Sequence, residues 1–467
     1  MQRRNFIQNL LWITGGLLAG CSKRLSSATR EGAVIKGKVL SGGKGVADVV
    51  VSDGFSVVKT SANGSYEFRK APLAEHVFVS VPAGYALPHE KHIARHYKDL
   101  GTTDNWNFEL EALGVNDDQH QFMIWADPQI KNDNDVRKLM TQSVPDVQNY
   151  MKSLPANALI HGICVGDLVW DNLPLFSNYN AAIDQCGLPF FQVIGNHDMD
   201  YRMGGDETSD NTFKKTYGPS YYSFNRGQVH YVVLDDVWYL GNEREYKGFI
   251  TDEQLAWLAK DLSFVAKDKL LVLCAHIPVH AVENKQALYN LITEYKVHIM
   301  TGHTHYNNNI INDNVYEHVH GTVCGAWWTG PICGDGTPPG YAVYEVNGTE
   351  LKWFYKSVGQ PRDHQIRAMM ERGTSNEQQL VANVWNWDPT WKVEYQVDGV
   401  NKGALPRFTD FDPMAVALYK GDQLPKSRPF VEPRKTDHVF KATIPQGAQQ
   451  VKVLATDRFG NKYELVA

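Results

Sequence analysis

Apolar and polar positions along the chain change rhythm twice. Between residues 34 and 82, short runs with apolar side chains at every second position (VIKGKVL, VVVS, SYEFR, HVFVSV) are separated by GGKG, SDG and SANG. A two-residue period broken by such turns predicts short strands, and their close spacing predicts a small antiparallel β-sandwich. From about 118 to 358 the apolar runs stand further apart. Between them lie stretches of helical spacing such as 251–265, where Leu255, Leu258, Leu262 and Val265 share a face. Buried strands alternating with helices are the pattern of an α/β domain. After residue 362 the first rhythm returns in WKVEYQVDG, HVFKATIP and QQVKVLATDRFGNKYELV, so a second β-rich module closes the chain. The expected organisation is a β-sandwich over 32–113, an α/β domain over 118–358 and a β-rich domain over 362–467. No internal repeat connects the two β modules beyond this shared style.

Bulk properties narrow the functional classes. A chain of 467 residues exceeds what one ordinary core organises. With 43% hydrophobic and 21% charged residues it has the apolar content for packed cores. A formal net charge of -6 leaves no basic excess to neutralise a phosphate backbone, so no nucleic-acid partner is expected.

The first residues follow a different logic. Arg3 and Arg4 precede an apolar stretch over 10–18 and then Ala19, Gly20 and Cys21, the layout of a bacterial export signal over 1–21. The stretch is short for a membrane span. LLAGC resembles the lipobox of bacterial lipoproteins, which implies that Cys21 becomes a lipidated N-terminus and that residues 22–31 tether the folded part to the cell envelope. An ordinary cleaved signal with an incidental cysteine is the competing reading. RRNFIQ also resembles the twin-arginine signal for folded cargo, with Gln8 where a lysine is usual. The other cysteines, Cys164, Cys186, Cys274, Cys324 and Cys333, are odd in number and irregularly spaced, so no disulfide framework is legible. Cys164 and Cys274 lie in apolar runs and read as small buried residues; Cys324 and Cys333 flank a loop and are placed to pair.

The candidate chemistry sits in the α/β region, where one apolar run after another ends in a polar cluster. FMIWA runs into Asp127-Pro128-Gln129, LIHGICV into Gly166-Asp167, and FFQVI into Gly195-Asn196-His197-Asp198. LLVLCA runs into His276 and VHIMT into Gly302-His303-Thr304-His305. Each cluster alone also reads as a turn or a satisfied core histidine. Ligands of open α/β sheets gather beyond the carboxyl ends of the strands, so all five clusters are expected to converge. Together they deliver carboxylates, carboxamides and imidazoles, which is a metal-binding set.

This order of motifs, D-x-Q, GD, GNHD, H and GHTH, resembles the calcineurin-like metallophosphoesterase family over roughly residues 120 to 358. The resemblance implies a central metallophosphoesterase β-sandwich flanked by helices, and a hydrolase of phosphate esters with two divalent metal ions (Mn, Fe, Zn or Mg). It makes Asp167 the ligand shared by both metals, with Asp127, Gln129 and His305 completing one site and Asn196, His276 and His303 the other. Gln129 departs from the family's usual D-x-H. A neutral, harder carboxamide favours Mn²⁺ or Mg²⁺ over Zn²⁺ or Fe. Two cations about 3.5 to 4 Å apart hold phosphoryl oxygens and acidify a bridging water, whose hydroxide attacks phosphorus. His197, beside Asn196 and outside the ligand set, is the expected general acid for the leaving alkoxide. Asp198 is expected to orient the His197 ring, with a helix N-cap as its competing role.

Other residues keep two readings. His280 reads as a substrate-phosphate contact or a solvated side chain, and Asp171 as a site contact or, preferred, a helix cap. Trp327 and Trp328, followed by Gly336-Thr337-Pro338-Pro339-Gly340, read as a wall of the substrate pocket, with Trp328 as the candidate substrate residue, or as core. Trp385, Trp387 and Trp391 read as core in preference to a sugar platform. The segment GVADVVVSDG followed by TSANGSYEF resembles transthyretin-like, carboxypeptidase-regulatory modules and carries no polar constellation, so the first β unit reads as a spacer in preference to a binding module. A phosphodiesterase, a phosphomonoesterase and a pyrophosphatase share these metals. The reading outside enzymes is a lipid-anchored binding or adhesion protein on an inactive phosphoesterase fold. It would be free to lose Asn196 or His197, and both are present.

Overall fold

The computed structural model describes residues 32–312, 314–373, 376–422 and 424–467. The export signal, Cys21 and the whole of the tether over 22–31 fall outside them. Among the described residues no helix is long and apolar enough to cross a membrane.

Two sheets form the centre of the molecule. The first has seven strands, in the order Glu350–Ser357, Gly340–Asn347, Gln119–Trp125, Ile160–Val165, Phe190–Val193, Ile93–Ala94 and His89–Glu90. The second has six, in the order Tyr222–Arg226, Val229–Val233, Leu270–Cys274, Lys296–Thr301, Val315–Val319 and Asn308–Asn312. Each contains a parallel trio: Gln119–Trp125 with Ile160–Val165 and Phe190–Val193 in one, and Val229–Val233 with Leu270–Cys274 and Lys296–Thr301 in the other. Ile160–Val165 and Leu270–Cys274 are buried at every position, as strands covered on both faces must be. The sheets meet through stacked and edge-on rings, with Phe191 on Phe224 at 3.9 Å and Phe122 against Tyr231 at 5.4 Å.

The helix predicted over 251–265 spans Asp252–Leu262, with the Thr251 hydroxyl accepting from the Gln254 amide. Its buried face is set by Trp257, Leu258, Asp261 and Leu262, while Leu255 is only partly covered. Asp261 belongs on that face because His230 and Ser223 bond its carboxylate at 2.8 and 3.1 Å.

The first β unit does not stand apart. Its strands form two small sheets, one around Val34–Ser41 and one around Val50–Ser52 and His76–Ser80. Ile93–Ala94, from the same stretch of sequence, pairs with Phe190–Val193 in the seven-stranded sheet. Trp257 donates to the Ser52 hydroxyl at 3.1 Å, and Ser223 bonds Ser80 at 2.9 Å across the junction. The C-terminal module has its own core, including Trp391, Phe440 and Val453, between two four-stranded sheets. Trp385 is buried and Trp387 lies beneath the Arg407 guanidinium at 4.2 Å, so these tryptophans are packing residues. Buried Asp335 joins module to centre, accepting from the Asn307 amide at 2.9 Å and facing His438 Nε2 at 3.2 Å.

Buried histidines make this fold acid-sensitive. Burial pushes His96 and His298 down to about 3 and His161 well below its ordinary value. Such groups stay neutral in the folded chain and take up protons in the unfolded one. The stability they allow is complete above the unfolded value of 6.5 and falls as pH drops below it, by up to about 1.4 kcal/mol per pH unit for each. Among the described residues neither nitrogen of His161 has a hydrogen-bond partner, and rings of Phe122, Phe224 and Tyr231 surround it. His161→Phe is therefore expected to melt no lower than the parent at pH 7 and visibly higher at pH 5. A gap between the melting curves that does not grow with acidity would contradict this.

Candidate metal centre

All five polar clusters meet at the carboxyl ends of the two parallel trios. Gln119–Trp125, Ile160–Val165 and Phe190–Val193 lead into Asp127, Asp167 and Asn196. Leu270–Cys274 and Lys296–Thr301, from the facing sheet, lead into His276, His303 and His305. Asp167, His276 and His303 present donor atoms within 4.8 Å of one another, as do Asp127, Asp167 and His305. Asp167 belongs to both groups. The carboxamides complete the ring: Gln129 Nε2 donates to Asp167 Oδ2 at 2.7 Å, and Asn196 Oδ1 lies 3.0 Å from His276 Nε2.

The backbone is bent to achieve this. Asp127, Gln129, Asp167, His303 and His305 all have positive φ, between 38° and 67°. For residues other than glycine this conformation costs about 1–3 kcal/mol each and persists where surrounding structure enforces it, commonly at functional sites. The glycines of the motifs give the loops room to touch. A Cβ on Gly195 would lie 2.1 Å from the Asp167 amide nitrogen, and one on Gly302 would lie 2.6 Å from Asp127 Oδ2.

The electrostatics call for added positive charge. Burial works against ionising Asp167, but His276 and His197 outweigh it and hold the carboxyl well below the usual range. For His276, burial alone would favour the neutral ring, yet Asp167 and Asp127 raise it to about 10. Burial and then the neighbouring His276 push His303 down to about 4. Among the described residues Gln129 Oε1 and His305 Nδ1 are buried without hydrogen-bond partners. Two buried carboxylates, three imidazoles, two carboxamides and unpartnered donor atoms fit a pair of divalent cations sharing Asp167.

His197 lies beside this cluster, its backbone N–H donating to Asp167 Oδ1 at 2.9 Å. Its orienting partner differs from the sequence expectation. Asp171 Oδ1 sits 2.8 Å from His197 Nδ1, and Arg244 closes on the other Asp171 oxygen at 2.8 Å. Burial opposes protonation of the His197 ring, but Asp167 and Asp171 prevail and raise its pKa. Asp171 is thus a site residue; the residue before the next helical turn, Leu173–Leu175, is Asn172. Asp198 does not hold the ring and caps no helix. Its carboxylate accepts from the Leu168, Val169 and Gly195 amides at 3.0 to 3.1 Å, tying the GD loop to the GNHD loop. That bonding points it into the protein, away from the imidazole.

Three further expectations change. His280 is neither a cluster contact nor freely solvated: its Nδ1 faces buried Glu317 at 3.2 Å. Trp328 is buried, and its indole N–H donates to the Pro128 carbonyl at 2.8 Å, bracing the Asp127–Gln129 turn instead of facing substrate. Trp327 takes the cleft position, 4.5 Å from the His305 ring. Cys324 and Cys333 are free thiols, and Cys324 Sγ engages the Asp127 carbonyl at 3.3 Å. Sequence reasoning also missed Arg244 behind Asp171 and Tyr246, whose ring meets His303 edge-on at 5.8 Å. Neither carries a local signal, since both lie between motifs.

Comparison with known proteins agrees with this geometry. Profiles described as N terminal of Calcineurin-like phosphoesterase, Calcineurin-like phosphoesterase and C terminal of Calcineurin-like phosphoesterase match residues 33–113, 99–307 and 317–463. A search of curated proteins returned no match. Among solved structures, a dimetal phosphatase from Danio rerio is 15% identical, with 51% of this chain and 96% of that one covered and a TM-score of 0.39. A purple acid phosphatase from yellow lupin (Lupinus luteus) seeds is 14% identical, with 67% of each chain covered and a TM-score of 0.40. A 5'-nucleotidase from Candida albicans is 14% identical, with 51% of each chain covered and a TM-score of 0.33. With the three profiles in order along one sequence, the chain belongs to the calcineurin-like phosphoesterase family and is a metal-dependent phosphoesterase.

Proposed function

We propose that this chain hydrolyses phosphate mono- or diesters outside the cytoplasm, using two divalent cations that share Asp167 and a proton from His197. The observation that carries the reading is the membership of Asp167 in both donor groups. Asp127, Gln129 and His305 would hold one cation, and Asn196, His276 and His303 the other. Cations bound there supply Lewis acidity toward phosphoryl oxygens and toward the attacking water. With Nδ1 engaged by Asp171, His197 has Nε2 left to deliver a proton to the departing oxygen. Arg244 places a positive charge 2.8 Å from the far oxygen of Asp171. Export and lipidation at Cys21 belong to the same reading and rest on residues 1–21.

The test is reconstitution of the soluble mature chain with single metals, elemental analysis after dialysis, and a panel of mono-, di- and pyrophosphate esters. Two ions per chain and turnover of at least one ester class are expected. A stoichiometry that never exceeds one while activity is intact would overturn the shared-ligand arrangement. Preference for pyrophosphates would move the substrate to exported diphosphates.

A further inference from the structure

The α/β centre does not complete the cleft beside its own histidines. A cavity of about 340 Å³ there is lined by His303, His305 and Trp327, and on its other side by Phe430, Glu432 and Arg434 of the C-terminal module. Phe430 is 52% exposed although the segment that carries it is well anchored. The anchoring is explicit. Buried Arg428 pairs with buried Asp135 at 2.6 Å, Val431 packs with Ala326, Ile332 and Tyr419, and the Arg434 amide donates to Gly334 at 2.8 Å.

The exposed ring continues a line of aromatic side chains that starts at the metal centre. Trp327 lies 4.5 Å from His305 and 5.5 Å from Phe430. Trp170 lies 5.6 Å from His197 and 5.6 Å from Phe430. Lys131 sits over Trp170 at 4.2 Å, and among the described residues the Arg434 side chain has no ion-pair partner. Edge-to-face aromatic rings with cations beside them suit a flat ring attached to an anionic group.

We infer that Trp170, Trp327 and Phe430, with Arg434 at the edge, form a subsite for the organic part of the substrate, and that this part carries a planar heteroaromatic ring. The inference rests on the phosphoesterase reading for the position of the phosphate. Stacking on such a platform is expected to strengthen binding about 5- to 150-fold.

The experiment measures binding without turnover, on the metal-loaded full chain. The probes are the phosphonate analogues of adenosine monophosphate and of ribose 5-phosphate, whose P–C bonds cannot be hydrolysed. The adenosine compound is expected to bind at least about tenfold tighter and to quench tryptophan fluorescence. Phe430→Ala should shrink that ratio to near unity with metal content unchanged, and Arg434→Gln should weaken both probes. Equal affinity of the two probes for the parent chain would overturn the proposal. So would equal weakening of both by Phe430→Ala, because a merely structural role, or a sugar-binding platform, gives that result. Ring-selective binding in a chain that turns over no ester of the panel would support the subsite and sink the hydrolase reading, so the two failures are distinguishable.

Discussion

Asparagine in place of Asp167 is expected to remove about 10³-fold or more of phosphoesterase activity, whereas histidine in place of Gln129 should leave an active enzyme. Asp167 lies in both donor groups, accepts the His197 backbone N–H and receives the Gln129 amide. Removing its charge weakens both cation sites at once, and the loss passes through every interaction that depends on them. Gln129 touches one site, and its amide oxygen is buried without a partner among the described residues. Histidine there replaces one neutral donor by another and asks for no new backbone conformation, since the positive φ of Gln129 already exists. The shift expected from Gln129→His is toward retention of Zn²⁺ or Fe. Activity and metal content of the two variants, measured side by side, decide the matter. Comparable losses would show that Asp167 has no special position between the sites.

The second large effect is selective. His197→Ala is expected to slow hydrolysis of an alkyl phosphoester about 10²- to 10⁴-fold, the usual contribution of a positioned proton donor. A nitrophenyl ester, whose leaving group departs without a proton, should lose much less. Bound metal should not change, because His197 lies outside the donor groups. Asp171→Asn should reproduce the same selectivity at about 10- to 100-fold, since Asp171 acts through the ring it orients. Asp198→Asn should instead lower thermal stability without preference between the esters, because it holds loop amides. Equal losses on both esters for His197→Ala would indicate that the ring stabilises phosphoryl charge and donates no proton.

Much of the centre is legible in the linear chain for a local reason. A parallel strand buried on both faces must be an uninterrupted apolar run, and the residue beyond its carboxyl end is where the chain first meets the site. Val165 followed by Gly166 and Asp167, or Thr301 followed by Gly302 and His303, writes strand, room and ligand into consecutive positions. The helix over Asp252–Leu262 is legible in the same way, though its buried face turns toward Trp257 and Asp261. Distant His230 and Ser223 are what allow a carboxylate to be buried there.

The sequence by itself therefore announced the five polar clusters at strand ends and the histidine beside Asn196, because each directly follows an apolar run, while the division of seven donors between two cations was implied by the family resemblance. Only the tertiary structure decided which carboxylate holds His197. The sequence favours Asp198 beside His197 and reads Asp171 as a helix cap, and the reversal follows from loop amides that capture Asp198. Only the tertiary structure put Trp327 and not Trp328 in the cleft, since a single bond to the Pro128 carbonyl turns the second indole inward. It alone brought Phe430 and Arg434 to histidines far away in sequence, through the Arg428–Asp135 pair. Such contacts depend on which surfaces pack together, and packing is set by the whole core, not by any window of neighbouring residues.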